Sequence, residues 1–228
     1  KSFQPSSQNY MKIPLIFIAT ATLLLQTGCV TGRRTLTLTV PTVNGPAATN
    51  GKAYVASVTD DRAFENKPRD PSTPSIDGDV NSISAAQKDV MIGRQRNGYG
   101  HAMGDIGLPE GQSVTKTMRK LVEEGLARGG YQVVLSPEGA MPVTVSVEKF
   151  WSWMSPGMWA LTFETRIFAK ITITTPTGSK SFVVTGESTN HGQFAKDSNW
   201  IEAIEPAFDD FLGNFKRELD KVETPPAK

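Results

Sequence analysis

From Val143 to Ile173 apolar residues fall at alternate positions. Val143, Val145, Val147, Trp151 and Trp153 form one series; after Pro156-Gly157 come Leu161, Phe163, Ile167, Ala169, Ile171 and Ile173. A period of two marks strands with one buried face, so this stretch predicts a long hairpin. Lys149 alone interrupts the first series. A slip of one residue would turn an apolar set toward water. That requirement selects a three-residue loop, pairing Trp153 with Leu161, Trp151 with Phe163 and Val147 with Ile167. Trp151, Trp153 and Trp159 then share one side near the tip, with Met154 and Met158 beside them.

Shorter alternations predict further strands at Thr35–Val40 (TLTLTV), Lys52–Val58 (KAYVASV), Tyr131–Leu135 and Lys180–Thr189. The period changes to that of a helix in two places. Ser113 is a suitable N-cap for a helix whose Val114, Met118, Leu121, Val122 and Leu126 share a face, with Gly129-Gly130 as the stop. From about Asn199, Ile201, Ile204, Phe208, Phe211, Leu212, Phe215 and Leu219 form one stripe, and Pro225-Pro226 ends any continuation. The order implies an α+β fold: a largely antiparallel sheet with a long hairpin and two amphipathic helices on one face. Residues 63–109, rich in Pro, Gly, Asp, Asn and Ser, read as one long loop.

The N-terminal pattern is different. MKIPLIFIATATLLLQTG (residues 11–28) has a lysine, an apolar run and small residues, and is short for a membrane span. It has the form of a signal peptide, and with the following Cys29 it resembles a bacterial lipoprotein signal. Gln26 stands where leucine is usual, with Leu25 one place back. The resemblance implies that Cys29, the sole cysteine, is the acylation site and carries palmitate-type chains. Val30 follows it, not the Asp that retains such proteins at the inner membrane of Gram-negative bacteria. The implied location is the periplasmic face of the outer membrane. Residues 1–10 (KSFQPSSQNY) are expected to be an upstream remnant, 29–34 an acylated tether, 35–222 a single periplasmic domain and 223–228 a Pro-rich tail. Extended, Val30–Arg34 spans about 17 Å, which keeps the domain near the membrane.

AYVASVTDDR (Ala53–Arg62), IGRQRNGYG (Ile92–Gly100) and LVEEGLARGGYQV (Leu121–Val133) resemble the YajG-type family of uncharacterised bacterial lipoproteins. In that family a strand ending like V-x-V-x-D-x-R precedes a helix ending like L-x-x-x-G-[YF]-x-V, paired strands and a last helix. The element order is also similar to that of assembly and activator lipoproteins related to the curli secretion component and the penicillin-binding-protein activators. The family resemblance supplies no activity and no catalytic residues.

Charge and composition add exclusions. Of 24 basic and 23 acidic residues, Lys1 and Lys12 lie ahead of Cys29, leaving 22 against 23. A near-neutral chain lacks the basic surplus of a nucleic-acid binder. GPAATNGKA (Gly45–Ala53) misses the phosphate-loop spacing and its hydroxyl. DGDVNS (Asp77–Ser82) lacks the turn glycine and the bidentate Glu of a calcium loop, and reads as a solvated acidic turn. GYGHAMGDIG (Gly98–Gly107) reads as a loop with special backbone angles. His101 and His191, the two histidines, have no ligand-spaced neighbours. Asp60, Asp61 and Arg62 are read as holding a strand end and the long loop by charge-assisted hydrogen bonds.

The expectation is therefore a non-enzymatic, lipid-anchored binding or scaffold protein of the cell envelope, with no catalytic residues, no metal and no cofactor. Its expected partners are the membrane, through the N-terminal lipid, and an envelope protein, not nucleic acid. Two other classes compete with it: a carrier of a small apolar ligand held between sheet and helices, and, less favoured for want of a nucleophile–base pair, a metal cluster or a carboxylate pair, a peptidoglycan hydrolase. The candidate partner-binding residues are Trp153, Met154, Met158 and Trp159, since hairpin tips project and Trp and Met are enriched at interfaces. The plainer expectation for these rings is core beneath the last helix.

Overall fold

Strand Met141–Pro156 is 16 residues long and has different neighbours along one edge. A computed structural model describes residues 32–42 and 48–223. The upstream remnant, the signal segment, Cys29 and most of the 223–228 tail lie outside the described residues. The elements in order are β1 (Arg34–Thr35), β2 (Lys52–Asp60), α1 (Ala85–Asp89), β3 (Met91–Arg96), β4 (Ala102–Gly107), α2 (Val114–Arg128), β5 (Gln132–Val133), β6 (Met141–Pro156), β7 (Leu161–Thr175), β8 (Gly178–Gly192) and α3 (Asp197–Glu223). The fold is mixed α+β, with one eight-stranded sheet that is mostly antiparallel but contains parallel pairs.

Along one side β6 pairs antiparallel with β7 from Val143 to Pro156, and β7 pairs with β8. Along the other side its first half pairs in parallel with β2, Ala53 with Met141 through Asp60 with Val147. Its second half pairs in parallel with β3, Gly93 with Ser152 and Arg94 with Trp153. The sheet therefore forks, β5 continuing beyond β2, and β4 and β1 beyond β3.

The fork leaves carbonyl groups without ladder partners, and Arg62 satisfies them. Its side chain is fully buried. Nε and Nη2 donate to the two carboxylate oxygens of Asp60 at 2.6 and 2.8 Å. Nη1 donates to the carbonyls of Met91 (2.6 Å) and Phe150 (2.9 Å), and Nη2 to that of Lys88 (2.7 Å). All five N–H groups are used, as burial of a guanidinium requires. The charge-assisted bonding read from Asp60 and Arg62 is thus extended to three backbone segments.

The hairpin register departs from the expected one. Trp153 pairs with Glu164, Trp151 with Arg166, Met154 with Phe163 and Val147 with Ala169, across a loop at Gly157–Ala160. The loop is four residues long, not three, which moves the pairing near the tip by three positions, and a bulge between Val147 and Lys149 takes one of these back toward the base. One extra residue reverses which face later side chains occupy. Before the bulge Val143, Val145 and Val147 enter the main core; after it Phe150 and Met154 do so. Trp151 and Trp153 point to the opposite face, into a second cluster with Ile76, Val80 and Met91.

The main core combines one sheet face with α2 and α3. Two glycines set the approach distances. A Cβ at Gly125 would lie 2.6 Å from the Phe215 ring, and one at Gly186 would lie 2.4 Å from the Ala207 carbonyl oxygen. Ser113 caps α2 as read from the sequence, and Gly129 closes it. Of TLTLTV only Thr35 belongs to a strand, the two-residue Arg34–Thr35, although Leu36 and Leu38 are buried. Beyond Thr35 the Gln112 amide stands in for a neighbouring strand, accepting from Leu38 N and donating to its carbonyl.

The segment 63–109 is not one loop. It contains α1, β3 and β4, and every residue of β3 is buried. Periodicity missed β3 because both its faces are covered. Residues 63–84 cross over the second face, where Phe64 meets Trp151 edge-on at 6.0 Å and Trp151 Nε1 donates to the Pro71 carbonyl at 3.1 Å.

Replacing Arg62 by Met strands Asp60 and the Met91 and Phe150 carbonyls at once. It is expected to lower unfolding free energy by about 3–5 kcal/mol in a urea titration. Arg62→Lys should recover only part of this, since an ammonium has three donors and no fork.

Candidate functional site

Register places several loops at one end of the sheet. Pro156 pairs with Leu161 and Leu161 with Gly192, so the hairpin tip and the end of β8 are neighbours. Arg94 pairs with Trp153, and Arg96 with Ala102, which brings the β3–β4 turn to the same end. Gly32 arrives there too, its N–H donating to the Met103 carbonyl at 3.0 Å.

Most of the exposed large apolar side chains gather at this end. Tyr99 is 89% exposed, Met158 88%, Trp159 85% and Phe194 67%. The four residues read as a contact surface divide here. Met158 and Trp159 stand free on the tip, whereas Trp153 is 4% and Met154 5% exposed. The bulge separates the latter two: Trp153 lies under residues 63–84 with Arg166 stacked at 5.2 Å from its ring, and Met154 lies in the main core. Neither can reach a partner without local opening.

Beside the tip is a cleft of about 550 Å³ between residues 67–77 and the β3–β4 turn. Lys67, Arg69, Arg94 and Arg96 line it, together with His101 and the single carboxylate Asp77. Arg94 and Arg96 are both more than nine-tenths buried. Arg94 lies 3.4 Å from buried Asp105 and 3.3 Å from exposed Asp77. Arg96 donates only to neutral groups: the carbonyls of Pro68 (3.0 Å) and Gly100 (3.3 Å) and the Ser75 hydroxyl (3.2 Å). The Nε groups of both arginines are buried without a hydrogen-bond partner. Burial pulls the Arg96 guanidinium below its ordinary value, Arg94 adds to this, and Asp70 opposes it. Arginine nevertheless remains charged at neutral pH.

The other sequence candidates are engaged in structure. The Ser146 and Thr59 hydroxyls hold the Asp61 carboxyl below its usual range. Asp79 is bound by Asn66 and Asn81, and Asp77 turns to Arg94, so the DGDVNS acids do not converge. Among the described residues no group of three His, Cys, Asp or Glu side chains is arranged to hold a metal ion. The cleft itself was not read from the sequence. Its signal was the Arg94-Gln95-Arg96 spacing, which on a strand puts both guanidiniums on one side.

These features define an α+β domain with a cationic, aromatic-rimmed end. Residues 98–215 match the family described as "Uncharacterized lipoprotein", and the chain belongs to this family, the YajG family. No curated protein matches the chain. Among solved structures, it is similar to one described as an uncharacterized protein (10% identity, 83% of this chain and 98% of that one, TM-score 0.41). It is also similar to protein XCC0632 from Xanthomonas campestris, of the family DUF330 (11% identity, 83% and 98%, TM-score 0.40).

Burial makes a direct contrast between two tryptophans in one hairpin. Trp153→Ser is expected to cost about 3–5 kcal/mol of stability. Trp159→Ser should stay within about 0.5 kcal/mol of the parent in the same melt.

Proposed function

We propose that this lipoprotein is a non-enzymatic binding component of the cell envelope, acylated at Cys29 and held at the periplasmic face of the outer membrane. The observation that carries this is the coincidence at one end of the sheet. Tyr99, Met158 and Trp159, exposed without a partner among the described residues, lie at the end where the chain continues back from Gly32 toward Cys29. Large exposed rings rimmed by charge mark contact surfaces, and Trp and Tyr favour the boundary between water and lipid. Membership of a lipoprotein family supports the anchor.

A protein partner is a second reading, favoured by a separate feature. A groove of about 900 Å³ runs between residues 37–42 and the flank of α2, with Lys116, Lys120 and Glu123 along it and the exposed Leu135 at its rim. Burial pushes the Glu123 carboxyl up from its ordinary value, while Arg119 and Lys120 oppose the shift. Polar and charged side chains, among them Lys116, Arg119, Lys120, Glu123 and Glu124, make up much of its lining, so it favours an extended segment of an envelope protein over a carried apolar ligand.

Cys29→Ser is the test of the anchor. The variant should lose metabolic labelling with palmitate and leave the outer-membrane fraction. Retention of label and of membrane fractionation by the variant refutes the acylation site. Leu135→Ser should weaken crosslinking to a protein partner without moving the melting temperature.

A further inference from the structure

The cleft and the exposed rings share one end of the sheet, and the cleft is cationic out of proportion to a near-neutral chain. Four cations face one carboxylate there. Asp70 stands close by and attracts Arg96 without forming an ion pair with it; its carboxylate accepts from the Ser72 N–H at 2.8 Å. Arg96 is the unusual member: a buried guanidinium without a carboxylate ion pair among the described residues. Burying a cation without a counter-charge is costly. Structural arginines in this protein avoid that cost, as Arg62 does with Asp60. At Arg96 no carboxylate of the described residues comes within ion-pair distance and Asp70 acts only from further off, which leaves the guanidinium able to take an anion from outside.

We propose that the cleft between residues 67–77 and the β3–β4 turn takes the phosphate of an anionic phospholipid, so that the domain lies end-on against the membrane. Arg94 and Arg96 form its floor, both already held by neighbouring groups, so binding orders little that is free. Lys67 and Arg69 are exposed at the rim and supply the longer-range attraction to an anionic surface. Tyr99 lines the cleft, and Trp159 stands on the hairpin tip at the same end; both would enter the interfacial layer with their polar edges toward the headgroups. Chain length favours lipid over free phosphate as the source. Cys29 precedes Gly32 by three residues, a reach of about 11 Å when extended, so an acylated Cys29 keeps this end within headgroup distance. The proposal rests on the acylated-anchor reading above.

Trp159 supplies the readout, because Trp151, Trp153 and Trp200 are buried. The acylated full-length protein is reconstituted into vesicles of phosphatidylcholine with brominated acyl chains, with or without phosphatidylglycerol, and tryptophan quenching is compared. A Trp159→Phe sample sets the background. Quenching of Trp159 is expected on the anionic vesicles and not on the zwitterionic ones. Lys67→Gln and Arg69→Gln, both at exposed positions, should each lower the ratio of docked to undocked protein about fivefold. Arg96→Gln should lower it further, with a melting curve confirming that this variant folds. Vesicle flotation separates the two failures. Protein that floats but shows no composition-dependent quenching overturns the docking and leaves the anchor standing. Protein that does not float overturns the anchor. If inorganic phosphate raises the melting temperature through Arg96 while anionic vesicles give no quenching, the cleft takes free phosphate and the lipid assignment is wrong.

Discussion

The guanidinium of Arg62 is what allows one long strand to serve two sheets' worth of neighbours. Strand β6 gives up β2 after Val147 and takes on β3 at Ser152. In that interval the Phe150 carbonyl faces the gap, and the Met91 carbonyl faces it from the other side. Water cannot serve these groups under the 63–84 crossover, and a buried unsatisfied carbonyl costs on the order of 1–3 kcal/mol. One planar, five-donor side chain closes the gap, with Asp60 neutralising its charge. The Phe64 ring lies 5.1 Å from the guanidinium carbon, so the same group also seats the start of the crossover.

The bulge at Glu148 has a second consequence at the same place. Reversing the face of Trp151 and Trp153 creates an apolar patch on the side of the sheet away from the helices. Residues 63–84 then have something to cover, with Ile76 and Val80 as their own contribution. That cover in turn supplies one wall of the arginine cleft through Lys67, Pro68 and Asp77. A single inserted residue in β6 thus links the second core to the cationic cleft at the sheet end. The tip beyond it is left apolar and free, with Met158 and Trp159 on a short loop tightened by the Gly157 N–H to Ala160 carbonyl bond at 2.9 Å.

The parts of this protein legible in the sequence are those governed by local periodicity. Helix α2 was readable to its caps, because Ser113, the apolar face and Gly129 act within a few turns. Strands β2, β7 and β8 were readable because each has one buried face. The pattern ending at Cys29 is legible as a linear address, and the family match agrees with the lipoprotein class that this pattern implies.

What only tertiary structure decided was anything set by a partner distant in sequence. Lys149 broke the alternation of β6 and was the one visible trace of the bulge; an isolated irregularity does not say whether a strand bulges or merely buries an aliphatic stem. Strand β3 was hidden because burial on both faces erases alternation, and because its neighbour β6 lies some 60 residues downstream. The four residues from Trp153 to Trp159 that looked alike as a contact surface were sorted into two buried and two exposed by the crossover and the register. The arginine cleft was out of reach for the same reason. Its walls come from residues 67–77 and 94–102, and their convergence depends on a crossover that is pinned by Arg62 and Trp151, not by any local pattern.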